Sequence, residues 1–209
     1  MDISKIDFHN IDRIKRINLI NSITGIKTVN LVGTTDKNKI PNLGIFSSIV
    51  HISSKPALIG LFIRCNKQVR RDTLANIISE KVYTINHVHP KYVKQAHLTS
   101  IKFEKNVSEF EKCNFTEYYI QNFSAPFVFE SHVRIGMHLK EIVDLKFSNS
   151  KLIVGEIEHI FINNSFLEKD YTLNIQETNS VSISGLNHYY LNKKFVSLPY
   201  ARIDHIIDK

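Results

Sequence analysis

The chain is written in short β-rich runs with no long helical stretch between them. Lys27 to Gly33, Ile45 to Ile52, Ala57 to Arg64, Lys81 to Asn86, Phe127 to Val133, His138 to Phe147, Lys151 to Asn163 and Ser180 to Ser184 all have strand composition. A doubly wound parallel sheet needs a helix of several turns between successive strands, and here those helices are missing. The pattern therefore predicts a mostly β chain, an antiparallel barrel with a few short helices, and excludes the usual dinucleotide fold. In Lys151 to Asn163 the apolar positions Leu152, Val154, Ile157, Ile160 and Ile162 change register near Gly155, as at a bulge on a barrel corner. Two helices are expected: Asp72 to Glu80, with Leu74, Ile77 and Ile78 at helical spacing, and one opened by a Ser108/Glu111 capping box.

Length and composition bound the rest. At 209 residues, with 43% hydrophobic and 22% charged residues, the chain fits one globular domain spanning residues 1–209. The longest apolar run, Ala57 to Ile63, is seven residues long and holds a glycine, far short of the roughly 20 needed to span a bilayer. The first fifteen residues carry acids and bases with no apolar core of a leader, which predicts a cytoplasmic protein with no membrane partner. Two cysteines, Cys65 and Cys113, lack CxxC spacing and suit a reducing compartment. A net charge of +7 favours an anionic partner, whether nucleic acid, a phosphorylated cofactor or an acidic surface.

Two segments could carry chemistry. Arg64 to Leu74 holds Arg64, Lys67, Arg70 and Arg71 and then opens a short amphipathic helix. A helix start offers unpaired N–H groups and the positive end of the dipole, so a phosphate could be held there by amides, the Thr73 hydroxyl and an arginine fork. A solvated basic loop that merely caps the helix explains the same residues equally well. Upstream, Thr34 to Pro41 reads as a hairpin loop leading into Asn42-Leu-Gly-Ile-Phe46-Ser47-Ser48, where small hydroxyl residues would let the backbone approach a flat heterocycle such as a flavin. Plain β-structure accounts for that strand as well.

In chain order, Asn21-Ser-Ile-Thr-Gly25, Val32-Gly-Thr-Thr35, Asn42 to Ser48, Pro56-Ala-Leu-Ile-Gly60, Arg71-Asp-Thr-Leu-Ala-Asn-Ile77, Thr84-Ile-Asn86, Ser108-Glu-Phe110, Ala125-Pro-Phe-Val128 with Glu130-Ser131, Val154-Gly-Glu-Ile157, Ser184-Gly-Leu186 and Tyr200-Ala-Arg202 resemble the flavin reductase-like, FMN-binding split-barrel family, the flavoredoxin group. The resemblance implies a six-stranded split barrel that dimerises and binds FMN non-covalently with the ring at the subunit interface. It implies that Asn42 and the Phe46-Ser47-Ser48 backbone face the isoalloxazine, that Arg64, Arg71 and Thr73 meet the phosphate, that Asn76 supports that loop, and that His97 or Ser100 touches FMN or the nicotinamide. Two loops depart from the pattern. Asn38 stands where a glycine is usual, as a residue tolerant of positive φ, and Leu167 to Tyr171 lacks a turn glycine.

The activity implied is hydride transfer from NADH or NADPH to flavin or a further acceptor, with no catalytic acid or nucleophile needed, because the cofactors carry the electronic work and the protein positions them. The alternative is an FMN-holding electron carrier that turns over no free flavin. A nucleic-acid binder ranks last, since the cations are scattered outside Arg64 to Arg71. His87, His89 and His97 could suggest a metal, but no Cys, Asp or Glu ligands cluster beside them, and no metal site is assigned. Tyr189, Tyr190 and Tyr200 read as packing or dimer residues.

Overall fold

The computed structural model describes residues 2–65, 71–104 and 106–202. Two helices, α1 (Lys5–Asn10) and α2 (Arg13–Ile23), precede the strands β1 (Lys27–Thr28), β2 (Asn30–Thr35), β3 (Pro41–Phe46), β4 (Ile49–Ser54) and β5 (Ala57–Arg64). Helix α3 (Asp72–Glu80) leads to β6 (Val82–His87), α4 (Val93–Leu98) and the single-turn α5 (Glu109–Lys112). The strands β7 (Glu117–Ile120), β8 (Phe123–Val128), β9 (Arg134–Leu145), β10 (Ser150–Phe161), β11 (Val181–Ser184) and β12 (His188–Leu191) complete the chain.

The main sheet is antiparallel, with seven strands and not the expected six, in the order β3-β2-β6-β9-β10-β5-β4. Its first and last strands are consecutive in sequence, joined only by Ser47 and Ser48. Across six flat interstrand gaps the two edges would stand roughly 29 Å apart, whereas the link from Phe46 to Ile49 reaches no more than about 11 Å. The sheet therefore has to curl until its edges nearly meet, giving a barrel that is split at Ser47–Ser48. This explains why the expected single strand from Ile45 to Ile52 is instead two: the chain steps across the seam there. The expected strand Lys27 to Gly33 is likewise two, β1 and β2, which belong to different sheets, and the expected strand Phe127 to Val133 is displaced. The observed β8 ends at Val128 and starts earlier, at Phe123, with Pro126 tolerated because β8 pairs with β7 alone. The two residues of β1 are too few to show an alternation.

Strand β2 is buried along its whole length because both of its faces are covered. Val32 points into the barrel with Leu61, Ile63, Ile77, Tyr83, Ile85, Met137 and Ile153, while Leu31 points the other way into a second cluster with Leu43, Phe110, Val128, Val181 and Ile183. Buried polar side chains of this region tie neighbouring strands together. Asn86 donates to the Leu31 carbonyl at 3.0 Å and accepts from the Val128 amide at 3.0 Å, stapling β8 against β2 and β6. Thr84 donates to the Pro126 carbonyl at 2.6 Å.

Sequence signals at the turns fared unevenly. Helix α3 has the predicted bounds, and the register shift at Val154/Gly155 is the expected bulge. In the β2–β3 hairpin the positive φ falls on Lys39, at 65°, and not on Asn38: the Asp36 carboxylate accepts the amides of both Asn38 and Ile40, which forces the residue between them into the left-handed region. Tyr171 takes positive φ where no glycine was available. Ser108 does N-cap α5, but the expected capping box is absent: its side chain makes no cap bond and its Oγ has no partner among the described residues, in a helix that lasts one turn.

Gly155 admits the ring of Tyr83, since a Cβ there would collide with the phenol oxygen. That hydroxyl is fully buried with no hydrogen-bond partner among the described residues, a costly state for a polar atom. Tyr83→Phe is accordingly expected to raise stability by about 1 kcal/mol. Gly155→Ala is expected to lower it, and by less when Tyr83→Phe is already present; chemical denaturation of the four proteins in this cycle checks both statements.

His87 ends β6 and shares a 2.8 Å hydrogen bond between its Nδ1 and the Ser180 hydroxyl, while burial lowers its pKa to about 4. Between the ordinary histidine range and pH 4 the unfolded chain binds a proton that the folded chain refuses, so stability is expected to fall as pH drops through that window. Denaturant titrations at pH 7 and pH 5 check this, with His87→Asn flattening the difference.

Candidate flavin site

The seam of the barrel opens into a cavity of about 380 Å³, a size suited to a small ligand. Its floor is the free edge of β3 and the Ser47–Ser48 link. One end is formed by the last residues of β5 and the first turn of α3, and the rim by Thr99 to Phe103 and Leu186. Asn42, Phe46, Ser47, Ser48, Arg64, Arg71, Thr73 and Ser100, eight of the residues singled out in the sequence, line this one space.

The β3 edge is shaped by the antiparallel alternation. The Leu43 N–H points away from β2 and donates to the Glu109 carboxylate at 3.0 Å. The same alternation turns the Ile45 N–H to that free edge, along the cavity. Ser48 joins the far side, its carbonyl accepting the Phe62 amide at 2.9 Å, so the link across the seam is tied to β5.

At the other end, α3 begins with Arg71 at its N-cap, whose side chain makes no cap bond. Amides of the first turn therefore stand at the cavity end with the positive pole of the helix dipole behind them and the exposed Arg64 and Arg71 side chains beside them. Lys67 and Arg70, counted in the cation cluster, lie outside the described residues.

A buried amide–hydroxyl network fixes this turn against the β2–β3 hairpin. Asn42 Nδ2 donates to Thr73 Oγ1 at 3.1 Å and to Thr34 Oγ1 at 3.2 Å, and Asn76 Nδ2 donates to the same Thr34 oxygen at 3.1 Å. Both protons of the Asn42 amide are thus engaged by the protein, which makes Asn42 a brace between strand and helix. Asn76 lies on the far side of the brace, facing a separate groove of about 400 Å³, and does not line the cavity beside the seam.

His97 is not among the lining residues. Its Nδ1 meets the Tyr189 hydroxyl at 2.9 Å with the rings edge-on, latching α4, which runs into the Thr99–Phe103 rim, to β12 beyond Leu186. His87 bonds Ser180, and His89 lies with its ring centroid 4.9 Å from that of His132. No group of three or more potential metal ligands stands together among the described residues. Thr34, Glu109 and the rim at Thr99 to Phe103, apart from Ser100, were missed as site residues. Thr34 reads as the start of a hairpin loop, whereas β2 runs on to Thr35, and Glu109 is 66 positions from the amide it holds.

The chain resembles known proteins over nearly all its length. Residues 24–192 match the flavin reductase like domain family. A split-barrel protein of Shewanella frigidimarina NCIMB 400 assigned as a flavin reductase superposes with a TM-score of 0.91 at 36% identity, over 96% of this chain and all of its own. Nitrilotriacetate monooxygenase component B from Bacillus cereus has a TM-score of 0.83 at 18% identity, covering 95% of this chain and 98% of its own, and flavoredoxin of Desulfovibrio vulgaris (Miyazaki F) has 0.72 at 22%, covering 84% and 92%; these two share the fold. An uncharacterized Aquifex aeolicus protein is 22% identical over 78% of this chain and 83% of its own. A split antiparallel barrel, a cavity at its seam with cations at one end, and a family match across most of the sequence agree, and this chain belongs to the flavin reductase like domain family.

Proposed function

We propose that the seam cavity binds FMN non-covalently and that the protein transfers hydride from NADH or NADPH to the flavin or onward to an acceptor. The observation that carries this reading is the convergence of the start of α3 and two arginines at one end of the cavity with a free strand edge along its length. A phosphate suits the first, where amides, guanidinium groups and the Thr73 hydroxyl supply charge-assisted donors. A flat ring with polar edges suits the second, where the Ile45 amide is unclaimed by strand pairing.

Bound FMN would supply the two-electron chemistry. The chain's own contribution is placement. Arg64 and Arg71 neutralise the phosphate, and the Asn42–Thr73–Thr34–Asn76 brace holds the helix turn at a fixed distance from β3, so that phosphate and ring are set relative to each other before binding. Phe46 and Phe62 supply apolar wall, and Ser47 and Ser48 keep the wall thin at the seam. His97 acts through its latch on the rim.

The same reading includes a homodimer working in the cytoplasm. Support for a second copy comes from apolar side chains left in solvent: Val50 and Ile52 on the edge strand β4, and Phe195, Leu198 and Tyr200 in the C-terminal segment, of which Phe195 is 98% exposed. Both cysteines are free, as a reducing compartment requires. No helix among the described residues is long and apolar enough to cross a membrane.

Two experiments test the function. Arg71→Ala combined with Thr73→Val is expected to weaken FMN binding, followed by fluorescence titration, at least tenfold while shifting apoprotein unfolding far less; unchanged affinity removes the phosphate site. Mixing purified holoprotein with NADH or NADPH and excess free FMN is expected to give continuous oxidation of the nicotinamide. A single bleach of the bound flavin followed by arrest would mark an electron carrier.

A further inference from the structure

The geometry points to Glu109 as a positioning residue for the flavin ring, acting through the backbone of β3; this rests on the cavity holding FMN. Strand β3 is an edge, so its outward amides have no partner strand, and an unpaired edge is free to flex or to seek another chain. Glu109 stands in for the missing strand at one point only. Its carboxylate accepts the Leu43 N–H at 3.0 Å, a charge-assisted bond in a half-buried setting. The next outward amide is that of Ile45, two residues further along the floor of the cavity.

The placement of Glu109 is itself rigid. It is the first residue of α5, and the neighbouring Phe110 is 1% exposed, packed in the same cluster as Leu43. Leu43 is thus held from its side chain by the core and from its amide by Glu109, and Ile45 follows with little freedom left. Glu109 also lines the cavity, so its bond sits beside whatever occupies the floor. The chemical role required is acceptance of one hydrogen bond, which a glutamine carbonyl can fill and an alanine cannot.

Three variants and two readouts test this. In the apoprotein, amide hydrogen exchange at Leu43 is expected to be at least tenfold faster in Glu109→Ala than in wild type and near wild type in Glu109→Gln. In FMN titrations Glu109→Ala is expected to bind about tenfold more weakly, with a displaced visible absorption band of the bound flavin, and Glu109→Gln to recover affinity to within about threefold and the wild-type band. Unchanged exchange at Leu43 in Glu109→Ala, or a Glu109→Gln protein as impaired as Glu109→Ala, overturns the proposal. Arg71→Ala is the third variant and separates the two readings: it is expected to weaken FMN while leaving the band of the bound flavin and the exchange at Leu43 unaltered. A wild-type chain that takes up no FMN at millimolar concentration would overturn the flavin reading, and the positioning role with it, even where the exchange result shows the Glu109 bond to be real.

Discussion

Everything in this fold hangs on a two-residue connection. Because Ser47 and Ser48 alone join strands at opposite edges of a seven-stranded sheet, the sheet has no choice but to roll up. Curling turns one face inward and lets Val32, Tyr83, Ile85 and Met137 share a core that no flat sheet of this size would enclose. It also leaves a gap that hydrogen bonding does not close, and a gap lined by a free strand edge is a place where a flat, polar-rimmed molecule can take over the pairing that the sheet lacks.

The second organising element is polar. Strand β2, buried on both faces, carries threonines and an asparagine where a purely structural strand would carry aliphatics. Thr35 is satisfied by the Ser124 carbonyl at 3.0 Å, and Thr34 receives the side-chain amides of Asn42 and Asn76. Such groups would destabilise the core if left unpaired. Paired, they set the distance from the hairpin to α3 more sharply than apolar packing would, because a hydrogen bond fails over a few tenths of an ångström while a methyl contact softens gradually.

How much of this could be read from residues alone follows from the range of each signal. Asp72 to Glu80 and Ala57 to Arg64 were legible to the residue, since helical spacing and a run of branched side chains are local properties. The bulge at Gly155 was legible for the same reason. The break at Ser47–Ser48 was not, because nothing in Ile45 to Ile52 interrupts its strand composition; only the sheet order shows that the chain must cross a seam there. Among site residues, the cations and hydroxyls of Arg64, Arg71, Thr73 and Ser47–Ser48 were found through their chemistry, and they converge. Glu109 carries the opposite sign from a phosphate partner and sits in what reads as a helix-opening signal, so its task of holding a distant amide was hidden. His97 was near the rim in sequence, yet its imidazole bonds Tyr189, a partner 92 positions away.

The shortness of the seam also limits how such a protein can diversify. Extra residues between Phe46 and Ile49 would let the two edges drift apart, so neither the floor proposed to face the ring nor the end proposed to hold the anion has much latitude to be rewritten. Variation has to enter through the segments above the opening, Thr99 to Phe103 and the turn carrying Leu186, which belong to neither edge of the barrel. A lineage built on this scaffold would therefore be expected to change its choice of electron donor and acceptor by editing those two stretches, while the way it grips a flavin stays constant.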